Sequence, residues 1–378
     1  MDNIYTSASF KYANPTIINF GIGKINDIGK LIKIKDAKIL LIFTSSMEKY
    51  GFLKKLLSKL NGFHVTLYKN TSQNPTPEIV DSITNLFRNN NCNFIIGMGG
   101  GSTIDLAKSI SILQSNKYTS RKYLYKESDL INETCPFIAI PSTSGTGSEV
   151  TPWATIWDMK NKRKLSLENY SMFPTQCIVD PELTYSLPKY QTALTGMDAL
   201  TQAIESYWSR NSQEISDIYS LSAIKIILEN LEDAYLTGEK NSRINMALGS
   251  LMGGLAFSNT KTSICHSLSY PMTIHFNIPH GQAVSITLAS FLEWNEDALK
   301  PKLNKLLSAM GTKSVKESSD KIKILMKSIG LKTNLTDLNI NQSQIKTIIK
   351  EGFYNERSDN NPRKILEQDA EKLLTNIL

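Results

Sequence analysis

The stretch Phe94-Ile95-Ile96-Gly97-Met98-Gly99-Gly100-Gly101-Ser102-Thr103-Ile104-Asp105-Leu106-Ala107-Lys108 decides the fold. It reads as an apolar strand over 94–98, a turn of three consecutive glycines, and a helix over 103–114. Glycines let the backbone approach a phosphate closely, and a helix N-terminus offers free N–H groups and the positive end of a dipole. The spacing is not a P-loop, since no Lys-Ser/Thr follows the glycines, and it is not GxGxxG. A tight turn alone needs one or two glycines rather than three in a row. A phosphate-binding turn is therefore expected, with Gly99, Gly100, Gly101, Ser102 and Asp105 as its candidates.

Working outward, the first half alternates short strands with helices. KILLIF at 38–43 is a continuous apolar run of the kind buried on both faces of a sheet, and it ends in Thr44-Ser45-Ser46. A helix is expected over 48–60 and a strand over 63–68. Thr76 and Pro77 then suit an N-cap and a first helical position, opening a helix to about Asn90. Another strand is expected over 137–140, a hairpin over 156–167 and one more strand over 176–180. This order implies a parallel, Rossmann-like sheet with helices on both faces, with ligands at the carboxyl ends of the strands. After Pro188 the apolar residues recur only at helical spacing, as in Ile215, Ile218, Tyr219, Ile226 and Ile227. The expected division is an α/β domain over 1–185 and an all-helical domain over 186–378, with exposed loops at 339–343 and 355–362.

Composition narrows the partners. The 378 residues are too many for one ordinary core, and 41% hydrophobic with 20% charged residues describes a globular protein. No apolar run approaches the roughly 20 residues that span a bilayer. Residues 1–5 lack the basic-then-apolar order of a signal peptide. The four cysteines are scattered without CxxC spacing, which suits a reducing cytoplasm and argues against a cysteine-held zinc. The net charge of +7 favours an anionic partner. The lysines are dispersed and no nucleic-acid motif occurs, which excludes that class.

A second stretch carries chemistry. Asp198 and Gln202 are four apart in a helical segment and so share a face. Three of the four histidines, His266, His275 and His280, fall within one short segment. A carboxylate and imidazoles converging from separate helices would suit a divalent metal; a buried helix pair with satisfied polar groups is the other reading. The loop PSTSGTGSEVT at 141–151 follows a strand. Its hydroxyls and amides could hold a pyrophosphate, or it is a solvated Ser/Thr loop.

Together these pieces resemble the iron-containing (group III) alcohol dehydrogenases. GGGSxxDxAK at 99–108, PSTSGTGSEVT at 141–151, GMDAL at 196–200, and His266 with NIPHG at 277–281 carry the resemblance, with Asn74-Pro75-Thr76 and Asn361-Pro362-Arg363 as lesser signatures. It spans nearly the whole chain, in order. It implies a dehydroquinate synthase-like architecture and an NAD(P)-dependent alcohol dehydrogenase or aldehyde reductase working with a divalent metal, Fe2+ first and Zn2+ second. The implied metal ligands are Asp198, His266 and His280. The fourth position, a histidine in the family, is Gln202, which can bind weakly, hold a ligating water or leave an open position. Tyr270 stands where the family has a histidine that relays a proton, so Tyr270, His266 and His280 are the catalytic candidates. The implied coenzyme contacts are Ser45, Asn74, Gly99, Gly100, Gly101, Ser102, Asp105, Thr143, Ser144, Thr146, Ser148, Thr151 and Lys164; for Lys164 an ordinary hairpin-turn charge is the alternative. Relatives that prefer NAD tend to carry Asp after the first strand. Thr44-Ser45-Ser46 there, with Lys49 one turn on, favours NADPH over NADH.

VTPWATIWD at 150–158, together with Gln202, is most similar to the phosphonoacetaldehyde reductases, which make 2-hydroxyethylphosphonate in phosphonate biosynthesis. A phosphonate calls for a bidentate Arg, and Arg357 and Arg363 are the candidates, with a solvated surface pair as the alternative. Trp153 is placed either as a pocket wall or in the core. The implied partner is a small aldehyde, handled by a cytoplasmic homodimer. A general medium-chain alcohol dehydrogenase of the same family, or a catalytically impaired nucleotide-binding relative, are the competing functions.

Overall fold

The structure is a computed structural model and describes residues 9–131, 133–353 and 356–378. The expectations for residues 1–5 and for Asn355 lie outside the described residues. The chain forms two compact units. One comprises Asn14–Thr143 and Ser148–Leu187; the other comprises Pro188–Leu378 with Ser144–Gly147 and residues 9–13.

The first unit is built on a six-stranded sheet. Its strands are β1 (Ile17–Phe20), β2 (Lys38–Thr44), β3 (His64–Asn70), β4 (Phe94–Gly99), β5 (Phe137–Pro141) and β8 (Gln176–Val179), in the order β1-β8-β5-β4-β2-β3. Every pairing is parallel. Ile39, Leu40, Leu41 and Ile42 of β2 are fully buried, as are Ile95, Ile96 and Met98 of β4. Each such side chain contributes about 1.5–3 kcal/mol, which is why these runs set the centre of the sheet. β6 (Trp153–Asp158) and β7 (Arg163–Glu168) form a separate antiparallel hairpin. Thr76 caps the helix Pro77–Asn89 by accepting from Ile79 N at 3.4 Å.

Two local expectations are corrected, and one strand is added. The single helix expected over 48–60 is two, Ser45–Lys49 and Phe52–Leu57, because Gly51 takes φ 80° between them. A left-handed residue ends one helix and admits a new direction. The edge strand β1 has no signature in the sequence: it is four residues long, and Ile17 and Ile18 are exposed. Asn360 and Asn361, expected in an exposed loop, are buried. Asn360 Nδ2 donates to Thr260 O and Thr262 O at 2.8 and 3.0 Å, and Asn361 pairs with Asn295. Buried amides with all their partners met satisfy backbone groups that a loop would leave to water.

The second unit contains helices and no strand among its described residues. Lys189–Trp208 is buried on every residue from Gly196 to Trp208, as expected of a central helix. It packs with Glu214–Leu236, Lys240–Thr260 and His280–Ser285, around Met197, Leu200, Ile204, Ile224 and Ile227. Among the described residues no helix is long and apolar enough to cross a membrane.

Candidate active site

The helix Lys189–Trp208 presents Asp198, Gln202 and Glu205, spaced four and three residues apart, on one face; all three are buried. The helix Ile264–Phe276 brings His266 and Tyr270, and His280 opens the next helix. Gly281 seats that helix: a Cβ there would lie 2.1 Å from Leu194 O, so only glycine lets His280 come so close to the central helix. The ligating atoms of Asp198, His266 and His280 lie within 4.8 Å of one another. His266 Nε2 faces Asp198 Oδ1 at 3.4 Å, and the two imidazole rings are 5.5 Å apart at 73°.

Sequence reasoning missed Glu205. Its carboxylate accepts from His266 Nδ1, from Ser263 Oγ at 2.9 Å and from Cys265 N at 2.7 Å. Burial opposes its ionisation, but His266 and these donors outweigh burial and hold the carboxyl below its usual range. A carboxylate on one imidazole nitrogen fixes the ring and turns the other nitrogen into the ligand. Ser269 Oγ donates to His266 O at 2.7 Å and can accept from His280 Nδ1 at 3.4 Å. Gln202 Oε1 is buried without a hydrogen-bond partner, which costs about 1–3 kcal/mol and which a cation would offset. One carboxylate, two oriented imidazoles and an orphaned amide oxygen fit a divalent transition metal. Glu205→Gln is expected to weaken Zn2+ affinity by about 10–100-fold, measured by competition with a chelating dye; unchanged affinity would show that Glu205 does not orient His266.

His275 does not join this group; its Nε2 pairs with Glu351 Oε2 at 2.5 Å. Tyr270 stacks on His280 at 26°, ring centroids 6.4 Å apart. The Arg357 guanidinium lies 5.2 Å from the centre of the Tyr270 ring. Arg363 is committed elsewhere: it lies 3.8 Å over Trp294 and donates to Trp294 O at 2.9 Å.

In the α/β unit the glycine turn closes at Gly99, where a Cβ would lie 2.7 Å from both Thr103 Oγ1 and Thr44 Cγ2. Gly100 precedes the helix Gly101–Leu113 and sits near Thr143, its Cβ position 3.5 Å from Thr143 Cγ2. Ser45 is exposed at the end of β2, and Ser72 Oγ donates to Asn74 O at 2.8 Å. Ser102 Oγ donates to Gln73 O. Asp105, Ser148 and Thr151 are tied into one group with Lys108, the last residue of the 99–108 motif. Asp105 accepts from Ser148 Oγ at 2.6 Å and Thr155 N at 2.9 Å, while Lys108 Nζ donates to Thr151 Oγ1 and Trp153 O, both at 2.8 Å. These contacts tie the helix Gly101–Leu113 to the segment 148–155. Lys164 Nζ lies 5.2 Å over Trp157, and Trp153, half-buried, opens β6. Ser144 is buried and Thr146 half-buried in the segment Ser144–Gly147, which clusters with the helical unit.

Comparison with known proteins agrees with this geometry. The profile of iron-containing alcohol dehydrogenase matches residues 15–181, and that of the Fe-containing alcohol dehydrogenase family, C-terminal, matches 192–378. An NADPH-dependent butanol dehydrogenase of Clostridium saccharobutylicum is 32% identical over 96% of both chains. A lactaldehyde reductase of Escherichia coli K12 is 28% identical, over 96% of this chain and 98% of its own. The solved sulfoacetaldehyde reductase of Bifidobacterium kashiwanohense, in complex with NAD+, superimposes with a TM-score of 0.93 at 32% identity, over 98% of this chain and 99% of that one. With two profiles covering both units and full-length relatives at this identity, the chain belongs to the iron-containing alcohol dehydrogenase family.

Proposed function

We propose that the protein reduces phosphonoacetaldehyde to 2-hydroxyethylphosphonate, consuming NADPH in preference to NADH. The observation that carries the anionic substrate is the Arg357 guanidinium beside Tyr270, which itself stacks on the candidate ligand His280. A guanidinium so close to the metal ligands is suited to hold a phosphonate while the aldehyde end reaches the reacting position.

The balance is aldehyde plus NADPH plus a proton giving alcohol plus NADP+. When bound, the dihydronicotinamide supplies the hydride and a divalent ion supplies Lewis-acid polarisation of the carbonyl. The chain's own work is placement and proton supply. Asp198, His266, His280 and Gln202 would hold the ion, and Glu205 fixes His266. Arg357 orients the substrate through its anionic end. Tyr270 is the proton donor to the product oxygen, its phenol replenished from water. The glycine turn 99–101 would hold the coenzyme phosphates.

Sulfoacetaldehyde is the second reading, supported by the reductase of B. kashiwanohense described above. The test is kcat/KM for phosphonoacetaldehyde, sulfoacetaldehyde and butyraldehyde with the metal-loaded enzyme. Arg357→Met is expected to lower kcat/KM for the anionic aldehyde by about 10–100-fold, the worth of one charge-assisted pair, and to leave butyraldehyde within about twofold. Equal wild-type rates on butyraldehyde and both anionic aldehydes would discard the anionic substrate and favour a general alcohol dehydrogenase. No turnover of any aldehyde by metal-loaded enzyme that still binds NADPH would favour the impaired relative.

We assign the protein as a cytoplasmic homodimer. The four cysteines are buried free thiols, in keeping with a reducing compartment. Among the described residues the outer strand β1 pairs with β8 alone and exposes Ile17 at 58% and Ile18 at 37%, an apolar edge that a second copy would cover.

A further inference from the structure

We propose that Lys69, held by Glu48 until coenzyme arrives, takes the 2′-phosphate of NADPH and so sets coenzyme choice; the proposal rests on the dinucleotide reading of the glycine turn. Three strand ends meet at this place. β4 lies beside β2, with Phe43 opposite Met98, and β2 lies beside β3, with Phe43 opposite Lys69 and Thr44 opposite Asn70. The ends are locked together: Gly99 leaves no room for a Cβ between Thr44 and Thr103, and Asn70 Nδ2 donates to Thr103 Oγ1 at 3.1 Å. A dinucleotide whose pyrophosphate rests on the turn after β4 therefore extends its adenosine half over the end of β2 toward β3.

In sheets of this kind the ribose is read at the end of the neighbouring strand. A carboxylate there bonds the 2′-hydroxyl, and a cation there accommodates a 2′-phosphate. β2 ends in Thr44, and the exposed Ser45 and Ser46 follow, with Thr44 Oγ1 and Ser46 Oγ 3.0 Å apart. The carboxylate that comes next, Glu48, is already engaged: its Oε2 accepts from Lys69 Nζ at 2.5 Å. That contact fixes the ammonium of Lys69 against the helix Ser45–Lys49, which follows directly on β2. Lys49, the cation the sequence offers for this role, lies instead over the ring of Tyr50 at 5.4 Å.

The pair is poised for exchange. Lys69 and Glu48 are 46% and 50% exposed, so water screens the bond between them and it contributes little to stability. A 2′-phosphate brings close to two charges and three acceptor oxygens, a stronger partner for an ammonium than one carboxylate. Lys suits the task as a compact point charge that needs no bidentate geometry. With NADH, which lacks the phosphate, Lys69 stays on Glu48 and neutralises it. The 2′-hydroxyl then meets no net repulsion, and NADH remains a weaker but usable coenzyme.

The experiment measures dissociation constants of NADPH and NADH for the full chain by fluorescence titration, in the wild type and in Lys69→Met, Lys69→Glu and Glu48→Gln. Both positions are half-exposed, and circular dichroism confirms folding. Lys69→Met is expected to weaken NADPH by about tenfold and leave NADH within about twofold, the effect of losing one charge-assisted contact. Lys69→Glu is expected to invert the preference. Glu48→Gln, which frees the ammonium, is expected to tighten NADPH by about two- to fivefold. Lys69→Met that leaves the NADPH-to-NADH ratio at its wild-type value overturns the proposal while the dinucleotide reading stands. A wild-type chain that binds neither coenzyme overturns both.

Discussion

Asp198→Asn is expected to purify with little bound metal and to lose roughly a thousandfold in kcat/KM on its aldehyde. Asp198 is the one carboxylate among the four candidate ligands; His266, His280 and Gln202 are neutral when they ligate. Without it a divalent charge would sit on a fully neutral donor set inside a buried site, which water cannot relieve. The Lewis-acid contribution that is then lost is several kcal/mol; about 4 kcal/mol corresponds to roughly a thousandfold in rate. The amide is nearly isosteric, so the packing of the central helix around Met197 and Leu200 is retained. Metal content per chain by elemental analysis, together with NADPH titration, separates the outcomes. Coenzyme binding should persist, since the glycine turn belongs to the other unit. A variant with wild-type metal content and wild-type rate would remove Asp198 from the site.

The second large effect is on stability. Lys108 is fully buried, 3.9 Å from Asp105 Oδ1, and Glu149 is buried within reach of its charge. Burial pushes the Lys108 ammonium down to about 8, against the pull of Asp105 and Glu149. Burial pushes Glu149 up to about 7, relieved in part by a backbone hydrogen bond and by Lys108. Burial also raises Asp105, although Lys108, Ser148 and Thr155 oppose it. Lys108→Met keeps the volume but leaves the buried Glu149 and the partly buried Asp105 without their cation and strands the acceptors Thr151 Oγ1 and Trp153 O. Breaking a buried pair in this way costs about 3–5 kcal/mol, a large share of the about 5–15 kcal/mol by which a folded protein is stable.

The pH dependence has a definite sign. A carboxyl whose folded pKa is raised contributes stability at low pH and loses it as pH rises through the folded value. Removing Lys108 raises Glu149 and Asp105 further, so the deficit of the variant should grow as pH climbs through about 7, where Glu149 titrates. The wild type also carries its own penalty for a charged Lys108 below about 8, which the variant is spared at low pH. Urea unfolding at pH 5.5 and 8.5 checks this: a deficit that is equal at both, or larger at the lower pH, would show that the cation does not neutralise these acids.

The sequence by itself determined the parallel sheet and where its glycine turn lies. The runs at 38–43 and 94–98 are apolar without alternation, and only a strand covered on both faces uses such a pattern. Thr76-Pro77 marked a helix start, and the glycine turn and the Asp198, His266 and His280 signatures carried the family. These are local signals, set by neighbours two to four residues apart. What surrounds each chemical group was decided only in three dimensions. Glu205 looks like any helical glutamate until His266, 61 residues on, docks against it. Lys108 looks like a surface lysine until β6 closes over it. His275 is separated from His280 by only four residues yet faces Glu351, while Arg357 reaches Tyr270 and Arg363 stops at Trp294. Residue type fixes what a side chain can bond, but burial and distant packing fix which partner is within reach, and local periodicity carries no record of that choice.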